Sequence, residues 1–200
     1  MWAFFGSEKL AEVLEAVGPL VCLDVGARGE PPAELAAMGP AVDLYGFEPD
    51  PQECRRLNDR YRVDPAPFHH VTMFPVALGG SRQTRTLHLT RHRGSSSLLE
   101  PLPDVGRAFA RPDLVTVEST CPIETHPLGD YLTEQGIKGV CYLKIDIEGL
   151  ELEVLRSAGA MLDDSLLSLR TEITFMPTRR EQPVYGQTEA FLRERGFLPK

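Results

Sequence analysis

The sequence lacks a long apolar run: in its 200 residues no stretch approaches the roughly 20 apolar residues that a transmembrane helix needs. Its start, MWAFFGSEKLAEVLEAVG, has neither the basic stretch nor the small-residue cleavage site of a signal peptide. Positive charge is also scarce, because 21 Lys and Arg stand against 29 Asp and Glu, which gives a formal net charge of −8. These absences predict a cytoplasmic protein that does not span a membrane and does not bind nucleic acid through its overall charge.

Paired cysteines are missing as well. None of the four cysteines belongs to a CxxC pair, which argues against a structural zinc site. Cys22 and Cys141 lie inside apolar strand-like runs, where a thiol usually behaves as a small buried hydrophobic group. We therefore expect reduced thiols, as in a reducing compartment.

Strand-like and helix-like patterns alternate along the chain. This succession requires right-handed crossovers, so it predicts an α/β fold with a mostly parallel sheet that is covered on both faces. The predicted strands are 20–25, 42–48, 69–78, 140–146 and 166–173, with a last strand beginning at Phe197. The predicted helices are an N-terminal helix within 1–19 and segments at 31–38, 51–61, 126–136, 150–158 and 188–195.

The stretch 79–125 breaks this alternation. TRTLHLT and VTVEST within it have strand-like patterns, and RHRGSSS between them is typical of a loop. We expect a single domain over 1–200 in which this insertion forms a lid over a site. Its arginines Arg85, Arg91 and Arg93 form either a solvated basic face or a site for a phosphate or carboxylate of a ligand.

Ligands of open parallel sheets bind beyond the carboxyl ends of the strands, so the residues at those ends carry the functional argument. The first predicted strand ends in DVGARG, where Gly26 and Gly29 allow the backbone to turn tightly beside a ligand. The second ends in FEPD, where Glu48 can accept hydrogen bonds from both hydroxyls of an adenosine ribose. Together they indicate a nucleoside cofactor, and the alternative is a tight turn without a ligand.

The turn differs from a dinucleotide fingerprint. GxGxxG requires a glycine two residues after Gly26, and Arg28 stands there instead. Asp24 is poorly placed beside a pyrophosphate, but it suits the ammonium group of a methionine moiety. The pattern therefore favours S-adenosylmethionine, and an NAD-dependent oxidoreductase is the disfavoured alternative.

With these motifs in place, the chain from Val21 to about Leu198 resembles the FkbM-type methyltransferases. The resemblance is carried by DVGARG, FEPD, VALGG, RGSSSL and above all YLKIDIEGLELEVLRSA, with support from RTEI and FLRERGF. It implies a class I methyltransferase fold, which is a Rossmann-like three-layer sandwich, here with or without the C-terminal hairpin strand. It further implies methyl transfer from S-adenosylmethionine to a hydroxyl of a sugar or natural product. The cofactor-binding residues that it implies are Asp24, Gly26, Ala27, Arg28, Gly29, Glu48, Pro49, Ala77, Leu78 and Asp146.

Two stretches differ from the family pattern. Members more often carry Asn at the position of Arg28, with a glycine one position later than Gly29, and ETHPLGDYL replaces a TLDDLL-like run. The first difference, together with the short C-terminus, keeps open a module that binds the cofactor or scaffolds a partner without turnover.

An alcohol acceptor needs a base or a metal to become nucleophilic. Asp146 and Glu148 follow the fourth predicted strand and Glu172 ends the fifth, so the three could converge if those strands are neighbours. Asp146 is the leading catalytic candidate, and its alternative role is to bind backbone amides before Gly149. Glu148 could instead cap the following helix. Glu172 is a candidate base. The alternative is that Glu172 and Asp146 together hold a divalent cation, but we expect no resident metal.

Lys144 lies in an apolar strand, where a lysine is rare unless it is paired. It either pairs with Glu172 or another carboxylate, or contacts the acceptor as a catalytic group. The expected partner of the protein is a small-molecule or glycan acceptor, and the sequence makes no prediction of the oligomeric state.

Overall fold

A computed structural model describes residues 16, 18–36 and 38–200. The N-terminal helix predicted within 1–19 falls almost wholly outside these residues. Among the described helices, none has both the length and the apolar character needed to cross a bilayer.

The described residues form eight strands and seven α-helices. The strands are β1 (Leu20–Val25), β2 (Val42–Phe47), β3 (His70–Phe74), β4 (Ala77–Gly79), β5 (Gln83–Thr90), β6 (Val117–Pro127), β7 (Val140–Ile145) and β8 (Ser168–Thr171). The helices are α1 (Ala33–Ala36), α2 (Pro51–Val63), α3 (Pro103–Ala108), α4 (Leu128–Gln135), α5 (Glu151–Ser157), α6 (Met161–Asp164) and α7 (Tyr185–Arg193).

The main sheet has five strands within the described residues, in the order β3-β2-β1-β7-β8. Each neighbouring pair is parallel. The chain builds outward from β1 to β3 and then returns to the other side of β1, so the strand order reverses between β1 and β7. This topology confirms the predicted Rossmann-like α/β fold, and it also confirms that the fourth and fifth core strands are neighbours.

Helices cover both faces of this sheet, because alternate residues of β1 enter different apolar clusters. Leu23 and Val25 pack with residues of α4, α5 and α6 on one face. Cys22 packs on the other face with Leu35 of α1 and with Leu57 of α2. The arrangement is thus three layers, and burial of these apolar side chains is its main source of stability.

Local sequence signals explain where two helices begin and end. Asp50 caps α2, because its side chain accepts hydrogen bonds from the backbone N–H groups of Gln52 and Glu53, and Pro51 occupies the first helical position. Helix α4 ends at Gly136, whose φ of 69° lies in the left-handed region that glycine adopts easily. Both boundaries agree with the sequence prediction.

The predicted third strand, 69–78, is too long. Strand β3 ends at Phe74, and Pro75, which has no N–H to donate, interrupts the ladder. The chain then enters a separate three-stranded sheet, β4-β6-β5, in which Ala77 pairs with Thr125. The insertion is therefore an antiparallel β5–β6 hairpin that is joined to β4.

The predicted strand beginning at Phe197 is also wrong. Residues 197–200 have no regular structure. The Phe197 backbone N–H donates to the Leu192 carbonyl, and the Phe197 ring packs against the core cluster of α4, α5 and α6. This residue therefore closes helix α7, which runs from Tyr185 to Arg193 rather than over 188–195.

Candidate active site

A cleft of about 580 Å³ lies at the carboxyl ends of β1, β2 and β7. Small-molecule sites typically measure roughly 300–1,000 Å³, so the volume suits a ligand of cofactor size. Its floor includes Gly26, Glu48 and Asp146, one from the end of each strand, and Leu87 and Leu89 of the inserted hairpin face the same volume. The cleft thus lies between the sheet and the insertion.

The DVGARG turn depends on Gly26. Its φ is +78°, and a Cβ at this position would lie 1.9 Å from the Asp146 carbonyl oxygen. The Gly26 and Ala27 backbone N–H groups both donate to the Phe47 carbonyl, at 3.0 and 3.1 Å. Glycine therefore allows the end of β1 to pass between the ends of β2 and β7.

Glu48 presents a buried carboxylate to the cleft. The residue is 4% exposed and lines the cavity. Within the described part of the chain, its side-chain contacts are made at Oε1, with the Asp50 backbone N–H at 2.9 Å and the Arg28 guanidinium at 3.5 Å. Burial raises the pKa of Glu48, and the Asp50 N–H and Arg28 oppose this shift. The arrangement can accept hydrogen bonds from ligand hydroxyls at Oε2.

Arg28, the residue that differs from the family pattern, also lines the cleft. Its Nη2 lies 2.9 Å from Asp50 Oδ2, closer than it lies to Glu48. Asp50 therefore holds the guanidinium at the edge of the cleft. In the sequence, the FEPD motif predicts Asp50 only as a helix cap and gives no sign of its contact with Arg28.

Asp24 and Lys144 form a buried ion pair. Lys144 Nζ lies 2.9 Å from Asp24 Oδ1 and donates a hydrogen bond of 2.8 Å to the Gly26 carbonyl oxygen. Burial raises the pKa of Asp24 to about 6, and the Lys144 charge opposes that shift. Lys144 is thus paired with Asp24 and not with Glu172. Asp24 does not line the cleft, whereas Lys144 does.

The three acidic candidates after β7 and β8 converge as predicted. Asp146, Glu148 and Glu172 each place a carboxylate oxygen within 4.8 Å of the others. Asp146 and Glu148 line the main cleft, while Glu172 lines a small crevice beside it.

The alternative role weighed for Asp146 belongs to another residue, and the helix cap weighed for Glu148 is not formed by its side chain. Glu151, which sequence reasoning missed, binds the backbone amides before α5: its Oε1 accepts from Ile147 and Gly149 at 3.0 and 3.1 Å. This leaves the Asp146 side chain exposed at the cleft. Helix α5 has no side-chain cap, and the Glu148 carboxylate instead lies 2.5 Å from Arg179 Nη2.

The pKa of Glu172 lies well above the usual range of a glutamate. Its pKa is raised to about 7, first by desolvation of the carboxyl group and then by the charges of Glu148, Glu151 and Asp146. The residue as a whole is exposed, and its carboxylate lies within 4.8 Å of carboxylate oxygens of Asp146 and Glu148, so repulsion between like charges contributes to this shift. A group with a pKa near neutrality can both accept and release a proton under physiological conditions.

Oxygen donors at this spacing have the chemistry that Mg²⁺ or Ca²⁺ prefers. However, the Arg179 guanidinium already neutralises Glu148, which leaves two carboxylates for a cation. That no metal resides here stays a prediction.

The remaining cofactor-binding candidates divide into two groups. Ala27 is packed in the α1–α2 core cluster, and a Cβ on Gly29 would meet nothing within 4 Å. The candidates that line the cleft are Gly26, Arg28, Glu48, Pro49, Ala77, Leu78 and Asp146, and those that do not are Asp24, Ala27 and Gly29.

The basic residues of the insertion have different surroundings. Arg85 forms an ion pair of 2.7 Å with Glu153 of α5, so it attaches the hairpin to the main domain. Arg91 and Arg93 share Glu118, at 3.6 and 3.4 Å, and only Arg93 of these two lines the cleft.

The chain is similar in sequence to known methyltransferases. A family model described as "Methyltransferase FkbM domain" matches residues 24–199. The 2-O-methyltransferase NoeI of Sinorhizobium fredii (strain NBRC 101917 / NGR234) is 23% identical over 155 residues, which cover 74% of this chain. The chain spans 60% of the length of that relative.

Among solved structures, methyltransferase FkbM from Methylobacillus flagellatus KT aligns with a TM-score of 0.46 and 18% identity. This alignment covers 73% of the present chain and 31% of the other. The family match extends from the first strand-end motif to the penultimate residue, so the chain belongs to the FkbM methyltransferase domain family.

Proposed function

We propose that this protein is an S-adenosylmethionine-dependent methyltransferase that methylates a hydroxyl group of a sugar or natural product. One observation carries the proposal: the buried Glu48 carboxylate and the exposed Asp146 carboxylate line the same cleft. A group suited to a ribose and a group suited to a proton transfer thus face one volume.

The cofactor half of the cleft fits a nucleoside. Glu48 offers Oε2 to ribose hydroxyls, and Ala77 and Leu78 supply a buried apolar wall for a base. Arg28 lies where the second glycine of a dinucleotide fingerprint would be, which favours S-adenosylmethionine over NAD.

The chain's own residues would then position the acceptor and remove its proton. The bound cofactor supplies an electrophilic methyl group. Asp146 would accept the proton of the acceptor hydroxyl as that oxygen takes the methyl group and the methyl–sulfur bond of the cofactor breaks, and Glu172 is near enough to share that proton at neutral pH. Lys144 fixes the turn by holding Asp24 and the Gly26 carbonyl, and Leu87 and Leu89 of the inserted hairpin line the cleft with apolar side chains.

Calorimetry with S-adenosylmethionine, S-adenosylhomocysteine and NAD tests the cofactor part. We expect both adenosyl ligands to bind and NAD not to bind. Glu48→Ala should weaken S-adenosylhomocysteine binding by about 10- to 100-fold, because hydrogen bonds to a charged group are lost. The control is Asp59→Asn, which changes an exposed acid of α2 outside the cleft. If neither adenosyl ligand binds, the proposal is wrong.

Transfer of a labelled methyl group from S-adenosylmethionine to a panel of sugars and glycosides tests the catalytic part. Asp146→Asn should lower turnover at saturating cofactor by about 100-fold or more, the usual contribution of a general base. Near-native turnover would remove Asp146 from the chemistry. Cofactor binding without transfer to any hydroxyl acceptor would favour the non-catalytic binding module instead.

A further inference from the structure

Arg179 is a buried arginine that no sequence motif singled out. It is 5% exposed and lies in the segment between β8 and α7. Its Nη2 donates to the Ser95 carbonyl oxygen at 2.8 Å and to Glu148 Oε2 at 2.5 Å. One guanidinium group therefore joins the insertion, the turn after β7 and the segment after β8.

Other hydrogen bonds reinforce the same junction. The Ser97 hydroxyl donates to the Glu148 carbonyl at 2.8 Å and accepts from the Leu99 N–H at 3.0 Å. The Leu102 N–H donates to the Thr178 carbonyl at 2.9 Å. The insertion is thus attached to both segments through buried polar groups, Ser95 and Ser97 being 5% and 2% exposed.

Glu148 has a backbone conformation that needs support. Its φ is +62°, which is uncommon for a residue with a side chain. Such a conformation persists when the surroundings impose it. Here Ser97 binds the Glu148 carbonyl and Arg179 binds its carboxylate, so both partners of the strained residue belong to segments outside β7 and α5.

Charge gives a further reason for the arginine. Glu148 lies among other acids, with carboxylate oxygens of Asp146 and Glu172 within 4.8 Å. Arg179 is the buried cation that contacts this group, with the two side chains of the ion pair 6% and 22% exposed. Its Nε is buried without a hydrogen-bond partner among the described residues, so the guanidinium incurs a desolvation cost to reach Glu148 and Ser95.

We propose that Arg179 is a positioning residue for the acceptor side of the cleft. Its guanidinium holds the Glu148 carboxylate in place and holds residues 95–99 of the insertion against it. The importance of this contact for methyl transfer rests on the proposed function, whereas the contact itself can be tested without a substrate.

Hydrogen exchange of the full-length protein measures the contact. In Arg179→Met we expect the Ser97, Leu99 and Leu102 amides to exchange about tenfold faster or more, because the insertion opens more often. Arg179→Lys should restore part of the protection, since an ammonium group keeps the charge but not the planar geometry of the guanidinium group. The control is Arg180→Met, whose exposed ion pair with Glu100 spans the same two segments and should contribute little.

A double-mutant cycle tests whether Arg179 acts through Glu148. Glu148→Gln alone should also speed exchange. If the two residues act through their ion pair, the double variant Arg179→Met/Glu148→Gln should exchange more slowly than the combined effects of the two single variants predict. Additive effects, or equal exchange in Arg179→Met and Arg180→Met, would overturn the proposal. If Arg179→Met does not fold, Arg179→Lys and Glu148→Gln carry the same comparison.

Binding of S-adenosylhomocysteine separates this proposal from the proposed function. We expect Arg179→Met to bind it as the unaltered protein does, because the residues proposed to hold the nucleoside, Glu48, Ala77 and Leu78, lie outside the segments that Arg179 joins. With a hydroxyl acceptor identified in the panel, the variant should lose kcat/KM for the acceptor but keep its KM for the cofactor. A variant that instead loses cofactor affinity contradicts the assignment to the acceptor side. Failure of the unaltered protein to bind would refute the proposed function and leave the exchange result standing.

Discussion

Lys144 Nζ lies 2.9 Å from Asp24 Oδ1, and this ion pair joins the central strand β1 to its neighbour β7. The two side chains are 14% and 3% exposed, so both charges are largely withdrawn from water. A buried pair of this kind contributes little net stability, but the loss of one partner leaves an uncompensated charge. Since Lys144 also binds the Gly26 carbonyl, the pair holds the turn at the start of the cleft.

Lys144→Met should therefore lower the free energy of unfolding by about 3–5 kcal/mol at pH 8. The loss should be smaller at pH 5, because Asp24, whose pKa is already raised to about 6, takes up a proton when its partner is missing. Urea denaturation at both pH values measures the difference. Lys138→Met, at an exposed lysine, is the control and should change little. Equal losses at the two sites would contradict the structural role.

The two glycines of the DVGARG turn should respond differently to alanine. Both have positive φ, +78° for Gly26 and +88° for Gly29, so each substitution strains the backbone by about 1–2 kcal/mol. At Gly26 the new Cβ would also lie 1.9 Å from the Asp146 carbonyl oxygen, whereas at Gly29 it would meet nothing within 4 Å. Gly26→Ala should thus cost about 3 kcal/mol or more in urea denaturation. Similar losses in the two variants would show that the strands can separate at low cost.

Glu172→Gln should make stability less sensitive to pH. The pKa of Glu172 is raised to about 7 in the folded protein, so the folded state binds this proton more tightly than the unfolded state does. The resulting stability is present below about pH 4.5 and is lost as pH rises through about 7. Glutamine mimics the neutral form, and we expect Glu172→Gln to be more stable than the unaltered protein at pH 8, by about 1 kcal/mol after allowing for solvent screening. Near pH 4 the two proteins should be equally stable in urea, and a difference that persists there would argue against charge repulsion.

The basic stretch of the insertion is either a solvated basic face or a site for a phosphate or carboxylate of the acceptor, and Arg93 offers the sharpest test. Arg93 lines the cleft and Arg91 does not, although both share Glu118. In the presence of S-adenosylhomocysteine, Arg93→Gln should weaken binding of glucose 1-phosphate by about tenfold, the effect of one charge-assisted hydrogen bond, and Arg91→Gln should not. If calorimetry gives the two variants the same affinity for glucose 1-phosphate, the stretch is a solvated basic face. The same conclusion follows if the protein binds glucose as tightly as glucose 1-phosphate.

Much of the site could be predicted from the sequence because its residues lie at strand ends. Strand order in a parallel sheet brings these ends together, so DVGARG, FEPD and LKIDIEG were enough to expect that Gly26, Glu48 and Asp146 meet. The break after β3 also has a sequence signal in Pro75, which lacks the N–H group that a strand ladder needs.

The partners of the charged groups could not be predicted in the same way. Arg179 reaches Glu148, 31 residues earlier, and Ser95, 84 residues earlier, through contacts that leave no periodic pattern. The sequence predicts that Lys144 is paired. Which carboxylate it meets depends on the side of β7 toward which its ammonium group extends. Hydrophobic periodicity reports which face is buried, and it carries no information about which buried charges neutralise one another.

The insertion leaves and rejoins the main domain at neighbouring points, because Ala77 pairs with Thr125 and Gly79 with Pro127. A segment whose two ends meet can be lengthened, shortened or exchanged without changing the distance that the flanking chain must span. In a chimera, residues 80–124 could therefore be replaced by the corresponding segment of a relative while β1, β2 and β7 remain unchanged, provided that the new segment keeps the contacts that Ser95 and Ser97 make with Arg179 and Glu148. Under the proposed function, such an exchange would change the residues of the insertion that face the cleft and would leave Gly26 and Glu48 in place.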